Sequence, residues 1–187
     1  MMNPNKHQTG SLLISEPFML DPNFKRSVVL LVENSDDGAV GFVLNQKSDL
    51  LLKDIIQDCW NCTFPIYIGG PVGKDSLHFI HRRYDILLSG IEISEGIYWG
   101  GDFDKLKVLL NNNEVNPEDV KFFVGYSGWG EEQLNSEIEQ NSWLINNKYN
   151  KEVVFVQDEE NLWKEIVISL GPKYAHIANF PENPMWN

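Results

Sequence analysis

The stretch that most constrains the fold is VKFFVGYSGWGEEQL, residues 120–134, in which an apolar run meets three glycines and then a helix-like pattern. The β-branched and aromatic residues that open it are typical of a buried strand. Glycine adopts backbone conformations that other residues avoid, so the glycines predict a tight corner. We expect Gly125 to end the strand, Gly128 to supply a left-handed turn and Gly130 to lead into a helix.

The same stretch does not match the known catalytic and phosphate-binding loops. A nucleophile elbow needs a second glycine two residues after Ser127, and that position is Trp129. A P-loop ends in Gly-Lys-Ser or Gly-Lys-Thr, whereas Glu131 and Glu132 open the helix here and would repel phosphate. Two interpretations remain: a structural corner in which Tyr126 and Trp129 are packing anchors, or a shallow aromatic binding site at the end of a sheet.

The charge of the chain limits its partners. It has 27 acidic and 15 basic residues, a formal net charge of −12 and an isoelectric point near 4.7. The negative field would repel a duplex phosphate backbone, and the densest basic segment, HRRYD at residues 81–85, is too small for a duplex footprint. We therefore expect no direct nucleic-acid binding.

The length and the apolar runs bear on the domain count and the location. A chain of 187 residues fits one domain with a sizeable core. No apolar run approaches the length of a membrane helix, and MMNPNKHQTG lacks the apolar core of a signal peptide. We expect a cytoplasmic protein that does not use a membrane.

The first half of the chain predicts strands. SLLIS at residues 11–15 and SVVLLVENS at residues 27–35 are β-branched, apolar and bounded by turn residues. The Asp37-Gly38 pair predicts a hairpin turn, because glycine supplies the positive φ that such turns require. Strand AVGFVLN follows, and Gly41 within it implies close packing or a bulge. FPIYIGG and SLHFIHR predict a second strand pair joined by GGPVGKD.

The rest of the chain predicts helices separated by short strands. SDLLLKDIIQDC has apolar residues at helical spacing and Ser48 or Asp49 as a cap. IEISEGIYWGGDFDKLKVLL predicts a strand, a glycine turn and a helix capped by Asp102, and EEQLNSEIEQ predicts another helix. EVVFV predicts a strand, and DEENLWKEIVISLG predicts a last helix capped by Asp158 and stopped by Gly171.

Hairpins followed by strand-to-helix units predict an α+β fold with a mixed sheet and helices on it. No repeat, low-complexity run or linker divides the chain. We expect a flexible amino end over residues 1–9 and a single domain over residues 10–187.

The cysteines and histidines predict neither a redox nor a metal site. Cys59 and Cys62, in CWNC, are expected to close a helix, where the dipole disfavours a thiolate, and one such pair is half of a typical zinc site. His78 and His81 lie three apart on a predicted strand, so their side chains point to opposite faces.

A group of polar residues surrounds the predicted hairpin. Glu33, Asn34 and Asn45 lie on the strands that flank the turn and could converge. More often such side chains satisfy the hydrogen bonds of a loop backbone.

The chain resembles the YqgE/AlgH family. The resemblance rests on motifs in a fixed order from Gly10 onward: GSLLIS, DPNFKRSVVLLVEN, GAVGFVLN, PIYIGGPV, GYSGWGEEQLNSEIEQNSWLI and FPENP. The motif most specific to the family is GYSGWGEEQLNSEIEQNSWLI, through its elements GYSGWG, QL, EI and NSWL. Residues of the family type stand at Gly38, Gly41, Asn45, Gly69, Gly70, Pro71, His81, Gly125, Tyr126, Gly128, Trp129 and Gln133.

The resemblance implies an α+β domain with a mixed, partly barrel-like sheet, and it implies no established reaction. Many relatives carry a histidine where this chain has Asn34, so any role for an imidazole there would be absent or moved. The cysteine pair is not part of the family pattern.

Three functions compete at this point. The first is a non-enzymatic binding or regulatory protein acting through protein partners or a small ligand, without cofactor or metal. The second is an enzyme in which Ser127, His81 and Glu33 meet near the glycine-rich segment, and the third is a DNA-binding regulator, which the charge disfavours. The predicted binding surface comprises Glu33, Asn34, Asn45, His81, Tyr126, Ser127 and Trp129.

Overall fold

Ten strands form one hydrogen-bonded sheet in the computed structural model, which describes residues 6–157 and 159–181. The strands are β1 (Leu12–Ser15), β2 (Val28–Ser35), β3 (Gly38–Val43), β4 (Lys47–Leu51), β5 (Pro65–Ile68), β6 (Val72–His81), β7 (Ile91–Ser94), β8 (Ile97–Trp99), β9 (Val120–Gly130) and β10 (Trp143–Asn146). The α-helices are α1 (Leu52–Ile55), α2 (Tyr84–Leu87), α3 (Phe103–Asn111), α4 (Gln133–Glu139), α5 (Leu162–Ser169) and α6 (Pro172–Ala175), and 3₁₀ turns occupy Lys151–Phe155 and Ile177–Asn179.

The strand order is β10-β1-β2-β3-β9-β6-β8-β7, and β4 joins the sheet through β5. Paired strands are antiparallel apart from β5 and β9, which are parallel. The predicted α+β class with a mixed sheet flanked by helices is confirmed. The sheet does not close into a barrel, since its path through the described residues ends at β10 and β7.

Strand β9 is the centre of the sheet because three strands hydrogen-bond to it. β6 runs along one edge, whereas the other edge is shared: β5 pairs with residues 122–124 and β3 with residues 127–130. The apolar side chains of β9 contribute to three different apolar clusters. Phe122 packs with α3, Phe123 packs with α5, and Trp129 packs beneath α4.

The predicted corner at residues 125–130 is wrong, because β9 continues through it to Gly130. Of the glycines in this stretch only Gly125 has a positive φ, 68°, and Gly128 is extended in the ladder opposite Val40. A Cβ at Gly125 would lie 2.8 Å from the carbonyl oxygens of Gly70 and Val72. Glycine is needed here for the close approach of two backbones rather than for a turn.

The predicted helix over SDLLLKDIIQDC is also wrong in most of its length. Its first residues form β4, the short helix α1 follows, and the Ser48 hydroxyl donates to the carbonyl oxygen of Ile66 on β5 at 2.8 Å. Pairing with a neighbouring strand overrides the helical spacing of the leucines and isoleucines. The predicted pairing of FPIYIGG with SLHFIHR does not form either, since β5 and β6 each pair with β9.

Of two predictions near the carboxyl end, the strand is wrong and the helix is confirmed. EVVFV is a 3₁₀ turn rather than a strand, because the Asn150 side chain accepts a hydrogen bond from the Glu152 amide and Val154 and Phe155 are buried without strand partners. The last helix is confirmed as α5, which begins at Leu162. Its predicted cap, residue 158, lies outside the described residues.

Other local predictions are confirmed. β1, β2 and β3 form as expected, and Gly38 has a φ of 141° at the hairpin. A Cβ at Gly41 would lie 2.7 Å from the Val29 side chain, which accounts for glycine by close packing. The Asp102 carboxylate caps α3 by accepting from the Lys105 amide at 2.9 Å.

Cys59 and Cys62 form a disulfide, which the sequence did not predict. Both cysteines are buried in the apolar cluster beneath α3. Residues 58–62 are held to the end of α3 by Asn111. Its side chain donates to the Asp58 carbonyl oxygen at 2.8 Å, and its carbonyl oxygen accepts from the Asn61 side chain at 2.7 Å.

Lys121 is a buried cation in the middle of the sheet, 1 % exposed. Its Nζ donates to the carbonyl oxygen of Val156 at 3.0 Å and lies 4.0 Å from the centre of the Tyr67 ring. The Tyr67 hydroxyl donates to the Glu159 carboxylate, which also lies 3.6 Å from the Lys47 ammonium. Burial lowers the pKa of Lys121 to about 7, although the nearby Glu159 opposes this.

Replacing Gly125 by alanine should destabilise the protein by about 2–4 kcal/mol, because the side chain would meet two carbonyl oxygens in a left-handed conformation. Gly130→Ala is the matched control, since a Cβ there has no atom within 4 Å. Urea unfolding measures both variants. Equal free energies of unfolding for the two would contradict the backbone contact.

Lys121 should make stability rise with pH. In the unfolded chain the amine has a pKa near 10.5, and in the folded chain its pKa is about 7, so unfolding takes up a proton between these values. From pH 7 to pH 9 the free energy of unfolding of the wild type should increase relative to that of Lys121→Met, by at most about 1.4 kcal/mol per pH unit. A difference that stays constant over this range would mean that the lysine pKa is not lowered.

Candidate functional site

Two cavities flank the last residues of β9. The first, which we call the aromatic cleft, has a volume of about 400 Å³. It lies between the loop of residues 16–27, the end of β9, helix α4 and the start of β10. Its lining residues are Met19, Asp21, Phe24, Pro71, Gly128, Trp129, Gln133, Glu137, Ser142 and Trp143.

Helix α4 is tied directly to the end of β9. The Gly130 amide donates to the Gln133 side-chain oxygen at 3.1 Å, and the Gln133 amide group donates to Glu137 at 2.9 Å. Gln133 and Glu137 are one helical turn apart, so both side chains lie on the same face of α4. The chain therefore places a carboxylate beside Trp129.

Glu137 connects both tryptophans of the cleft. One of its carboxylate oxygens accepts from the indole nitrogen of Trp129 at 2.9 Å and from that of Trp143 at 2.8 Å. The other oxygen accepts from Gln133. In the part of the chain that the structure describes, Glu137 forms no ion pair. Its negative charge is held by neutral donors alone.

Three aromatic rings form one wall of the cleft. Trp129 and Trp143 meet edge to face, with ring centres 5.9 Å apart. Phe24, from the loop, stacks on Trp129 at 6.1 Å and meets Trp143 edge to face at 5.3 Å. Both indoles are nearly buried, so their positions are fixed by packing rather than by a ligand.

The second cavity, which we call the polar cavity, has a volume of about 350 Å³ on the other side of the same strand end. It is lined by Lys6, His7, Asn34, Ser35, Asp36, Gly38, Ala39, Gly130, Glu132, Leu134 and Asn135. Burial and then the charge of Lys6 lower the pKa of His7, while Glu132 opposes them. His7 is therefore a neutral imidazole near pH 7. Its basic and acidic lining residues give this cavity mixed charge.

A third cavity, of about 460 Å³, lies at the far end of the sheet. The described residues that line it are Gly90, Ile91, Trp99, Gly100 and Gly101, and none of these has an ionisable side chain. A site of this kind offers few groups that could orient a ligand.

The structure separates the predicted residues of β9. Ser127 is fully buried, and its hydroxyl donates to the Gly69 carbonyl oxygen at 3.0 Å, which is a structural role. Tyr126 points to the opposite face and meets His78 edge to face at 5.9 Å. Trp129 alone among the predicted residues lines the aromatic cleft.

The predicted residues around the hairpin do not converge. Glu33 is exposed beside a bulge of β2, and Asn34 lines the polar cavity. Asn45 instead joins two backbone groups: its side chain accepts from the Val28 amide at 2.9 Å and donates to the Arg26 carbonyl oxygen at 2.8 Å. Asn45 thus satisfies loop backbone, the alternative that the sequence left open.

His81 lies at the far end of β9. It is buried opposite Val120, and its ring nitrogens contact the Ser89 carbonyl oxygen at 3.1 Å and the Arg83 amide at 3.2 Å. Burial lowers its pKa. Ser127 lies seven residues beyond Val120 on β9, so at the usual rise per residue of a strand it is roughly 20 Å from His81. Ser127, His81 and Glu33 therefore do not form the catalytic group that the enzyme hypothesis required.

The sequence pointed to Gln133 as a family residue and missed the roles of Phe24, Glu137 and Trp143. Glu137 could have been found, because it follows Gln133 by one helical turn and Trp129 by eight residues. Phe24 comes from a loop whose path the sequence does not determine. Within residues 6–157 and 159–181, no group of three or more His, Cys, Asp and Glu side chains is placed to hold a metal ion, and no helix is long and apolar enough to cross a bilayer.

Comparisons with known proteins cover nearly the whole chain. The model of the DUF179 family, described as AlgH-like, matches residues 12–175. A UPF0301 protein of Cytophaga hutchinsonii is 41% identical over 179 residues, covering 95% of this chain and 98% of the relative. One of Parabacteroides distasonis is 42% identical over 180 residues, covering 95% and 90%.

Two solved structures share the fold. The solution structure of the AlgH protein from Pseudomonas aeruginosa has a TM-score of 0.70 and 27% identity, covering 97% of this chain and 98% of that chain. A crystal structure from Corynebacterium diphtheriae has a TM-score of 0.75 at 22% identity, covering 96% and 95%, which supports the fold alone. The chain therefore belongs to the AlgH-like family, the YqgE/AlgH family that its motifs indicate.

Proposed function

We propose that this protein is a non-enzymatic binding protein whose ligand site is the aromatic cleft. The observation that supports the proposal is the origin of the cleft residues. Six of them, Gly128, Trp129, Gln133, Glu137, Ser142 and Trp143, come from the segment most specific to the family resemblance. A cleft with apolar walls and a few converging polar groups is the usual form of a ligand site.

The hydrogen bonds of the cleft favour binding over catalysis. Glu137 accepts three hydrogen bonds from neighbouring side chains, which hold its carboxylate in one orientation. Among the lining residues that the structure describes, Ser142 carries the only hydroxyl, and none is a histidine or lysine that could act as its base. The arrangement supplies shape and charge.

A regulatory role would follow if ligand binding changed the loop of residues 16–27. Met19, Asp21 and Phe24 of this loop line the cleft, while Leu20 is 95 % exposed beside them. We propose that Leu20 would then serve as an apolar contact for a protein partner. We place this activity in the cytoplasm, which cell fractionation tests.

The proposal is tested by a fragment screen with NMR detection. The chain has six tryptophans, and the indole N–H resonances of Trp129 and Trp143 report on the cleft directly. We expect fragments that bind to shift these two resonances, because their N–H groups lie within the hydrogen-bond network of Glu137.

Phe24→Ala should weaken binding of such fragments by about tenfold or more, because it removes the ring that stacks on Trp129 and meets Trp143 edge to face. Phe18→Ala is the matched control, because Phe18 lies on the same loop and stacks on Phe180 instead of lining the cleft. Gly130→Leu adds a side chain at the polar cavity, which Gly130 lines. Binding that is lost in Gly130→Leu and kept in Phe24→Ala would move the site to the polar cavity and refute the proposal.

A further inference from the structure

The described residues that line the aromatic cleft carry negative charge and no positive charge. Asp21, which is exposed, and Glu137, which is half-buried, are the ionisable side chains among them, and none is lysine, arginine or histidine. The polar cavity differs, since the Lys6 ammonium lines it beside its acidic residues. The whole chain adds to the effect with a net charge of −12. An anionic ligand would meet repulsion both at a distance and in contact.

The charge of Glu137 remains available to a ligand. Its three hydrogen-bond donors are an amide and two indoles, all neutral, so they orient the carboxylate without cancelling its charge. Because these donors already fix the orientation of the carboxylate, little reorganisation is needed when a cation binds to it.

The orientation of the indoles favours the same ligand. Trp129 and Trp143 both direct the N–H edge, the positive side of the ring, at Glu137. The faces of aromatic rings carry the negative end of the quadrupole and attract cations. Phe24 is only half-buried, so of the three rings it is the one most open to a ligand, while both indoles are nearly buried. Aromatic rings and carboxylates around one small cavity form the usual recognition site of an organic ammonium or guanidinium group.

We infer that the aromatic cleft binds an organic cation, an ammonium or guanidinium group on a small apolar body. The inference rests on the proposed function and specifies its ligand class. Two sources have this chemistry, a free amine and the basic side chain of a protein partner.

Three probes of similar size and different charge test the inference: 2-phenylethylammonium, 2-phenylethanol and phenylacetate. Titration of the Trp129 and Trp143 indole resonances should give an affinity for the ammonium about tenfold or more above that for the alcohol, and no binding of the carboxylate. The preference for the ammonium over the alcohol should shrink in high salt, because the contribution of the exposed Asp21 is screened.

Charge-removing variants locate the origin of the preference. Glu137→Gln should lower the affinity for the ammonium about tenfold and leave that for the alcohol unchanged, so that the alcohol also reports whether the cleft is intact. Should Glu137→Gln fail to fold, Asp21→Asn provides the test, because asparagine keeps the oxygen that accepts from the Asn23 amide at 2.9 Å. Asp21→Asn should reduce the ratio of the two affinities about threefold.

Glu139→Gln is the control for net charge. Glu139 is exposed on the same helix and does not line the cleft, so its loss should leave the ratio unchanged. An equal fall of the ratio in Glu139→Gln and Asp21→Asn would attribute the preference to the overall charge and overturn the inference.

A further arm distinguishes the sources. Binding of N-acetyl-arginine methylamide with the same dependence on Phe24→Ala and Glu137→Gln would favour the basic side chain of a partner, and binding of the ammonium alone would favour a free amine. Equal or tighter binding of the alcohol or the carboxylate, weakened by Phe24→Ala, would overturn the inference and leave the proposed function standing. No response to any probe would also overturn it, and the fragment screen would then decide the proposed function separately.

Discussion

The arrangement of the sheet depends on a close backbone contact, in which Gly69 and Gly70 lie against Gly125 and Tyr126. A Cβ at Gly69 would lie 2.4 Å from the carbonyl oxygen of Gly125, and one at Gly70 would lie 2.3 Å from the backbone of Tyr126. The contact is fixed by hydrogen bonds, since the Gly69 amide donates to Val124 and its carbonyl oxygen accepts from Val43, each at 2.9 Å. At this point β5 leaves the edge of β9 and β3 takes its place.

The site depends on that exchange of strands. Because β3 pairs with β9 beyond Gly125, the last residues of β9 stay in the sheet and hold Trp129 against its neighbours. After Gly130 the chain turns and enters α4, which places Gln133 and Glu137 beside the indoles. The glycine contact and the aromatic cleft are therefore consecutive parts of one segment, the first determining where the second can form.

The sequence predicted the fold class and the ordinary elements well, because they depend on local pattern. The strands β1 to β3, the hairpin at Gly38 and the Asp102 cap each have a signal within a few residues. The failures share one cause. The pattern around Gly125 predicted a turn, and that of SDLLLKDIIQDC predicted a helix. Both predictions are overridden by backbone partners that lie outside these stretches, Gly70 for Gly125 and β5 for β4.

The candidate site was predicted only in part for the same reason. An aromatic site near Trp129 was one of the two alternatives, but Phe24 and Trp143 reach it from a loop and an edge strand that no local pattern joins to β9. Ser127, His81 and Asn45 drew notice as polar residues in motifs, and the structure gives each a backbone contact instead. Residue type alone does not separate these two uses.

The binding of an organic cation in the aromatic cleft is tested most directly by a crystal structure of the protein with 2-phenylethylammonium. We expect ligand density in the aromatic cleft, with the ammonium nitrogen within hydrogen-bond or ion-pair distance of Glu137 or Asp21 and the phenyl ring against Phe24 or Trp143. Density in the polar cavity, or an ammonium turned away from both carboxylates, would contradict it.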